Sequence, residues 1–439
     1  MNVYIKIEIK DREFISRTLI AAYLAKKGHD VYVGDDEFIG RYLENKILNP
    51  GIILEKSLSP VKRKIKRLSL LKKNNFKIVN LDEEGGLNDP NYKYWSSERY
   101  SNKTLKIADI SFCWGRYDYE MNKKLFPKFK KKFYLSGNPR FDLHNIKNIK
   151  NIKNKKIQKK IIIIPSTFTL TAYKRIVDEF DIYSKLRKPN LNIQKKWFIG
   201  ARERSIETFD LLDLIYEIKK KFNNLLIEIW VHPKEDIDMW RKLIPEDKHI
   251  KYTKIKDFNS TSSDKSLFIF TGSTLGMDVM LNNRFLVYYN PSSIFKGSTI
   301  PIKMSKKVNS AELMLNIIKK FFNGKKFKQS FKMQNYIHNS KKNIIASSII
   351  ADKIDELNSK DISKKNTFLN NNLNHLYAKN YLRLIRQKID YKIYNDKFAP
   401  FSKSEIKNVH KTLIDFNKEF KKIKIELIGP KLIRLNKTR

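Results

Sequence analysis

The feature that most limits what this chain can fold into is the brevity of its apolar runs. The run over residues 161–164 has the length of a strand, and short runs of that kind recur with helical patterns between them. Strands are expected over residues 3–9, 29–34, 52–54, 76–81, 107–114 and 133–135. A helical pattern over 12–27 stops at Gly28, a residue suited to ending a helix. The alternation restarts at residues 160–165, passes through a long helical region to about residue 222, and continues with strands at 225–231, 267–270 and 285–289. Repeated strand–helix units of this kind imply mostly parallel, doubly wound sheets with helices on both faces. The fold class read from the sequence is therefore α/β, with two Rossmann-like doubly wound domains and a basic helical C-terminal extension.

A chain of 439 residues is too long for one ordinary core, which fits that division. The expected boundaries are a first domain over 1–144, a basic low-complexity linker over 145–159 and a second domain over 160–325. Helices over 326–358 are expected to pack back on the first domain, followed by the extension over 359–439. No stretch approaches the roughly 20 apolar residues of a membrane-spanning helix. The first residues read as an alternating strand rather than as a signal peptide. A single cysteine, Cys113, allows neither a disulfide framework nor a cysteine metal cluster within one chain. A cytoplasmic protein is the expectation from these features.

The formal net charge of +44 has two readings. It can attract something anionic, such as phospholipid headgroups, nucleic acid or a phosphorylated substrate. It can also reflect composition alone, because lysine, asparagine and isoleucine are abundant throughout. Two stretches are denser than the rest. Residues 145–160 hold seven lysines and no acid, and residues 360–439 hold 20 Lys/Arg against seven Asp/Glu.

In open α/β sheets ligands bind beyond the carboxyl ends of the strands, so polar residues directly after each strand are the candidates. Four places qualify. After residues 76–81 come Asp82-Glu83-Glu84-Gly85-Gly86, where crowded like charges raise at least one pKa and a carboxylate could act as general base; a solvated acidic loop is the plainer alternative. Gly137-Asn138-Pro139-Arg140-Phe141-Asp142 forces a tight turn and offers a guanidinium fork to phosphate or carboxylate, or pairs Arg140 with Asp142. His232-Pro233 ends another strand and places an imidazole at the rim, for a ligand or for structure. Thr271-Gly272-Ser273-Thr274 runs from a strand into a helix start, where free amides and hydroxyls can hold an anion or simply cap the helix. No Gly-x4-Gly-Lys-Ser/Thr loop, zinc-spaced His/Glu pair or Gly-x-Ser-x-Gly elbow is present, which removes the corresponding ATPase, zinc and serine hydrolase readings.

Taken in order, these segments resemble the bacterial surface carbohydrate biosynthesis proteins, a GT-B-type group similar in architecture to Kdo transferases, UDP-GlcNAc 2-epimerase and teichoic-acid polymerases. Arg12-Glu13 with Gly28-His29-Asp30-Val31 is similar to that group's N-terminal pattern. Asp82-Glu83-Glu84-Gly85, Gly137 to Asp142, His232-Pro233 and Gly272-Ser273-Thr274 look like its later motifs. The chain departs from the pattern at Trp230-Val231, where an arginine is common, and at Gly86, where an aliphatic residue is. The likeness covers roughly residues 1–350, and it implies that the two domains face across a cleft.

The resemblance implies a glycosyltransferase that takes a nucleotide-sugar as donor and a glycan or lipid-linked acceptor, with neither cofactor nor metal. It implies Glu83 or Glu84 as base, Glu83 preferred, and Arg12 and Glu13 on the acceptor side. His232, Gly272, Ser273, Thr274, Asn138 and Arg140 would hold the donor. An epimerase or hydrolase acting on a nucleotide-sugar, a nucleic-acid-binding protein and a noncatalytic scaffold are the alternatives. No specific nucleic acid is expected as partner, since charge is not interleaved with stacking aromatics. The 360–439 extension is expected either to rest on an anionic inner membrane surface or to pack on the body.

Overall fold

The computed structural model describes residues 1–36, 38–40, 49–87, 91–145, 159–165, 171, 191–232, 235–254, 265–293, 299–327, 333–341, 343–357 and 398–438. Most of the 145–159 linker and all of 359–397, including the amphipathic pattern over 377–394, lie outside the described residues. The chain forms two compact units, the first drawn from residues 1–85, 93–148 and 332–439 and the second from 86–92 and 149–331.

The first unit carries β1 (Asn2–Ile7), α1 (Lys10–Lys26), β2 (Asp30–Asp35), β3 (Ile52–Glu55), α2 (Lys62–Lys73) and β4 (Lys77–Leu81). Next come α3 (Asn91–Arg99), α4 (Asn102–Ile107), β5 (Ile110–Cys113), α5 (Arg116–Leu125) and β6 (Phe133–Leu135). The second unit carries β7 (Lys160–Ile164), α6 (Leu191–Lys221), β8 (Leu226–Val231), α7 (Ile237–Leu243), β9 (Ile250–Lys254) and β10 (Ser266–Phe270). It continues with α8 (Gly276–Leu281), β11 (Leu286–Tyr289), α9 (Ile300–Met304), β12 (Lys306–Val308) and α10 (Ala311–Phe322). The chain then returns to the first unit with α11 (Ala346–Glu356), α12 (Lys403–Phe416), β13 (Ile423–Gly429) and β14 (Leu432–Lys437).

Both sheets are doubly wound. In the second unit the order is β12-β11-β10-β7-β8-β9, with every neighbouring pair parallel. In the first, β1 to β6 run parallel in the order β2-β1-β3-β4-β5-β6. The central strands are apolar on both faces because helices cover both: β10 (SLFIF) is buried throughout. On one face of the first sheet, Tyr4, Ile53, Ile78, Cys113 and Phe133 meet Leu68 and Leu71 of α2 and Leu105 of α4. On the other, α1 lies against α11.

Two expectations need correction. Residues 107–114 are not one strand. Ser101 and Thr104 form a capping box that starts α4, so Ile107 ends a helix and the strand begins only at Ile110. The last forty residues are not a helical appendage either. After α12 they form an antiparallel hairpin, β13–β14, and β14 adds antiparallel to β2, with Ile433 opposite Val33 and Leu435 opposite Val31. Alternating apolar residues in this stretch serve the sheet, and Gly34 permits the join. A Cβ there would lie 2.3 Å from the Lys431 carbonyl oxygen. Further contacts hold the segment: Arg434 pairs with Asp30 at 2.6 Å, Phe401 packs on Phe14 with centroids 4.7 Å apart, and Phe420 meets Tyr23.

The C-terminal hairpin is thus part of the first unit's core. Leu435→Ala, at a fully buried position, is expected to lower the unfolding free energy by about 2–5 kcal/mol in urea titrations. Leu427→Ala, on the edge strand and 39% exposed, is expected to change it by under about 1 kcal/mol. Equal small effects would show the hairpin to be merely appended.

Candidate active site

The acidic run at the end of β4 splits into buried and exposed members. Asp82 is buried, Glu83 is 6% exposed, and the side chain of Glu84 is 53% exposed. The turn that separates them is held by Asp82, whose carboxylate accepts the Glu84 N–H at 2.9 Å, while its carbonyl accepts the Trp114 indole N–H at 2.8 Å. Glu84 pairs outward with Arg99. Burial pushes the Asp82 carboxyl up to about 7, against the pull of Arg99, 3.7 Å away, and of Lys56.

Glu83 points back beneath the strand end. Its Oε1 lies 2.8 Å from Arg17 Nη2, and its Oε2 accepts from the Asn138 amide at 3.5 Å. Arg17, on α1, is fully enclosed and also donates to the Leu81 carbonyl at 2.8 Å. Its Nε and Nη1 meet no acceptor among the described residues. One helical turn earlier, Glu13 is buried too. It accepts the Glu8 N–H at 2.9 Å and the Arg12 guanidinium at 2.7 Å. Burial first, and then the negative charge of Glu83, push its carboxyl up to about 7, opposed by Arg12 and Arg17. The candidate site of the first unit is therefore a group of carboxyls and arginines in which burial pushes Glu13 and Asp82 up to about 7, the range general acid–base chemistry uses.

Asn138 joins this group. Gly137 sits at φ +87°, and Asn138 Oδ1 accepts the Arg140 N–H at 2.9 Å, which tightens the turn. Asn339 clasps the turn from both sides: its Oδ1 accepts the Asn138 N–H at 3.1 Å, and its Nδ2 donates to the Asn138 carbonyl at 2.9 Å. Asp142 accepts the Ala346 and Ser347 amides, each at 2.8 Å, and so caps α11. The motif read as an anion turn works in large part as a clamp for α11. Arg140 is half-buried and lies over the Phe141 ring, 5.5 Å from its centroid.

In the second unit, His232 follows β8 on a turn built around Glu235. Glu235 is fully buried, accepts the His232 N–H at 2.8 Å and the Thr171 hydroxyl at 2.7 Å, and returns its own N–H to the His232 carbonyl. After β10, Leu275 donates its N–H to Ser273 Oγ at 3.3 Å, and the amides of Gly276, Met277 and Asp278 donate to carbonyls three residues back. The free amides expected at this helix start are accordingly engaged within the turn, because tight 3₁₀-type bonds satisfy them. The amides of Gly272, Ser273 and Thr274 remain without an acceptor among the described residues. No group of three or more His, Cys, Asp or Glu is placed to hold a metal ion among the described residues.

Two residues central to these arrangements escape a reading of the sequence. Arg17 follows Glu13 by four positions on a predicted helix, the spacing that brings two side chains to one face. Glu235 follows His232 by three, a turn spacing. Both signals are visible once those segments are known to end strands and open helices.

The fold these units define is of the GT-B type, two successive doubly wound parallel sheets. Among solved structures, the chain is similar to a protein assigned as UDP-N-acetylglucosamine 2-epimerase from Listeria monocytogenes, with a TM-score of 0.50 and 13% identity over 83% of this chain and 99% of that one. It is also similar to UDP-GlcNAc 2-epimerase from Neisseria meningitidis bound to UDP-GlcNAc (0.49, 13%, 81% and 100%) and to the wall teichoic acid polymerase TagF (0.41, 14%, 81% and 88%). No protein-family model matches the chain, and no curated protein matches it.

The raised carboxyls give stability a pH dependence of definite sign. Folded Glu13 and Asp82 keep their protons up to about pH 7, against ordinary values of 4.5 and 3.8. The folded state binds more protons in that window, so stability falls as pH rises from about 4 through 7. Removing the Glu13 carboxyl in Glu13→Gln should flatten the decline from pH 5 to 8 by about 3 kcal/mol relative to the unsubstituted chain, because each pH unit between the unfolded and folded pKa is worth roughly 1.4 kcal/mol. Parallel profiles for the two proteins in urea titrations would contradict the assignment.

Proposed function

We propose that this chain is a glycosyltransferase of bacterial surface-polysaccharide synthesis, moving a sugar from a nucleotide-sugar to a glycan or lipid-linked acceptor on the cytoplasmic side of the membrane. The observation that supports it most is Glu83, a strand-end carboxylate fixed by Arg17 and Asn138 beside a second carboxyl, Glu13, raised to about 7. In this reading the acceptor hydroxyl gives its proton to Glu83 as its oxygen bonds to the anomeric carbon. The bond from that carbon to the donor phosphate breaks, and the nucleotide leaves with the electron pair. Arg17 holds the Glu83 carboxylate in place at 2.8 Å. Glu84 is the weaker candidate for the base because it is turned outward onto Arg99.

The amides of Gly272, Ser273 and Thr274 are assigned to the leaving phosphate, with His232 as a further donor. Fixed dipoles of this kind stabilise departing charge, and the reading calls for no metal or cofactor. A second reading, epimerisation of the nucleotide-sugar itself, is favoured by the likeness in fold to the Listeria protein.

The two are separated by assaying nucleotide-sugars with and without acceptor. Transfer predicts turnover only with acceptor. Glu83→Gln should then lower kcat about 10²–10⁴-fold with a smaller change in donor KM, while Glu84→Gln stays near the unsubstituted rate. Acceptor-independent isomerisation would establish the epimerase reading, and full activity of Glu83→Gln would remove Glu83 as the base.

A further inference from the structure

The positive charge of the first unit is not spread evenly over its two helical layers. The layer that covers Tyr4, Ile53, Ile78 and Phe133 consists of α2, α4, α5 and the turn Pro127–Lys132. These elements hold 16 Lys/Arg and two acids, Asp118 and Glu120, of which Asp118 is buried. On the other face of the same sheet, α1, α11, α12 and the turn Lys418–Lys422 hold 11 Lys/Arg and eight Asp/Glu. A lysine-rich composition acting alone would load both layers alike.

The basic layer is continuous. Lys72 of α2 pairs with Asp109 at the end of α4 at 2.7 Å, and Lys132 donates to the Leu105, Lys106 and Ala108 carbonyls, so α4 is flanked on both sides by cationic elements. Lys64 and Arg67 turn inward onto Glu55. Lys62, Arg63, Lys66, Lys73, Lys106 and Lys130 are exposed, and no carboxylate meets them among the described residues.

We propose that this layer is a docking face for an anionic lipid surface. A face that gathers cations and leaves them unneutralised is destabilised by self-repulsion, and a sheet of negative charge relieves it. Thirteen of the 16 cations are lysines, point charges suited to diffuse attraction rather than to the planar, bidentate reading that arginine gives. Aromatic rings here offer no stacking platform for bases: Lys123 lies over Tyr119 at 4.5 Å and Lys132 over Phe129 at 5.7 Å. Val61, 54% exposed directly before Lys62 and Arg63, adds an apolar contact for the headgroup region. The inference is independent of the catalytic reading, and either can fail alone.

The test is co-sedimentation of the full chain with vesicles of phosphatidylcholine alone and with roughly 30% phosphatidylglycerol, in low and high salt. Binding should need the anionic lipid and weaken with salt. The triple variant Lys66→Glu, Lys106→Glu, Lys130→Glu should bind at least about tenfold more weakly, since each lysine near such a surface contributes measurably. A control of equal charge change on α12, Lys403→Glu, Lys407→Glu, Lys411→Glu, should bind within about threefold of the unsubstituted chain. The corresponding Lys→Gln triple on the basic layer should show an intermediate loss and excludes a folding artefact. Equal losses in the two Glu triples, no vesicle binding, or tighter salt-sensitive binding to duplex DNA through the same three lysines would each overturn the proposal.

Discussion

The buried contact between Arg17 and Glu83 is the constraint on which the first unit's candidate site depends. It joins the middle of α1 to the end of β4, and Arg17 adds a hydrogen bond to the Leu81 carbonyl, so strand end and helix hold one register. Neither charge would survive enclosure alone. Desolvation is offset by their mutual attraction, and removing one partner of such a pair leaves the other stranded at a cost of about 3–5 kcal/mol. Chains under no demand beyond stability do as well with apolar side chains in that place. The pair sits at a strand end with a second carboxyl, Glu13, pushed up to about 7 by burial beside it.

Much of the architecture is legible in the sequence because it is local. Short apolar runs bounded by turn residues mark the strands of both sheets, and Gly28 marks the end of α1. Asp82-Glu83-Glu84 stands out because three carboxylates directly after a strand serve neither strand nor helix. What escapes is non-local. Asp142 reads as part of its own turn, yet its carboxylate caps a helix whose first residue lies 204 positions later. Arg17 shows as one cation in a helix, and only the fold places it under β4. The final hairpin is hidden for the same reason: basic, alternating residues look like an exposed helix until β2 supplies a partner edge and Gly34 the room for it.

The same contrast separates the two assigned regions. In the first unit the candidate groups form a closed network, each carboxyl with a named cation or amide. In the second, the turn after β10 satisfies most of its own amides, and those of Gly272, Ser273 and Thr274 meet no acceptor among the described residues. The helix that follows is six residues long and carries Asp278 in its first turn, so its dipole adds little for an anion. Specificity for a donor phosphate would rest on short-range amide contacts and on His232, whose turn the buried Glu235 fixes.

The most direct measurement is a crystal structure with a nucleotide-sugar and an acceptor analogue bound. The acceptor hydroxyl is expected within about 3 Å of a Glu83 carboxylate oxygen, with Arg17 still paired to it. An acceptor seated elsewhere, with Glu83 sealed beneath β4 as it is now, would contradict the role given to that carboxylate.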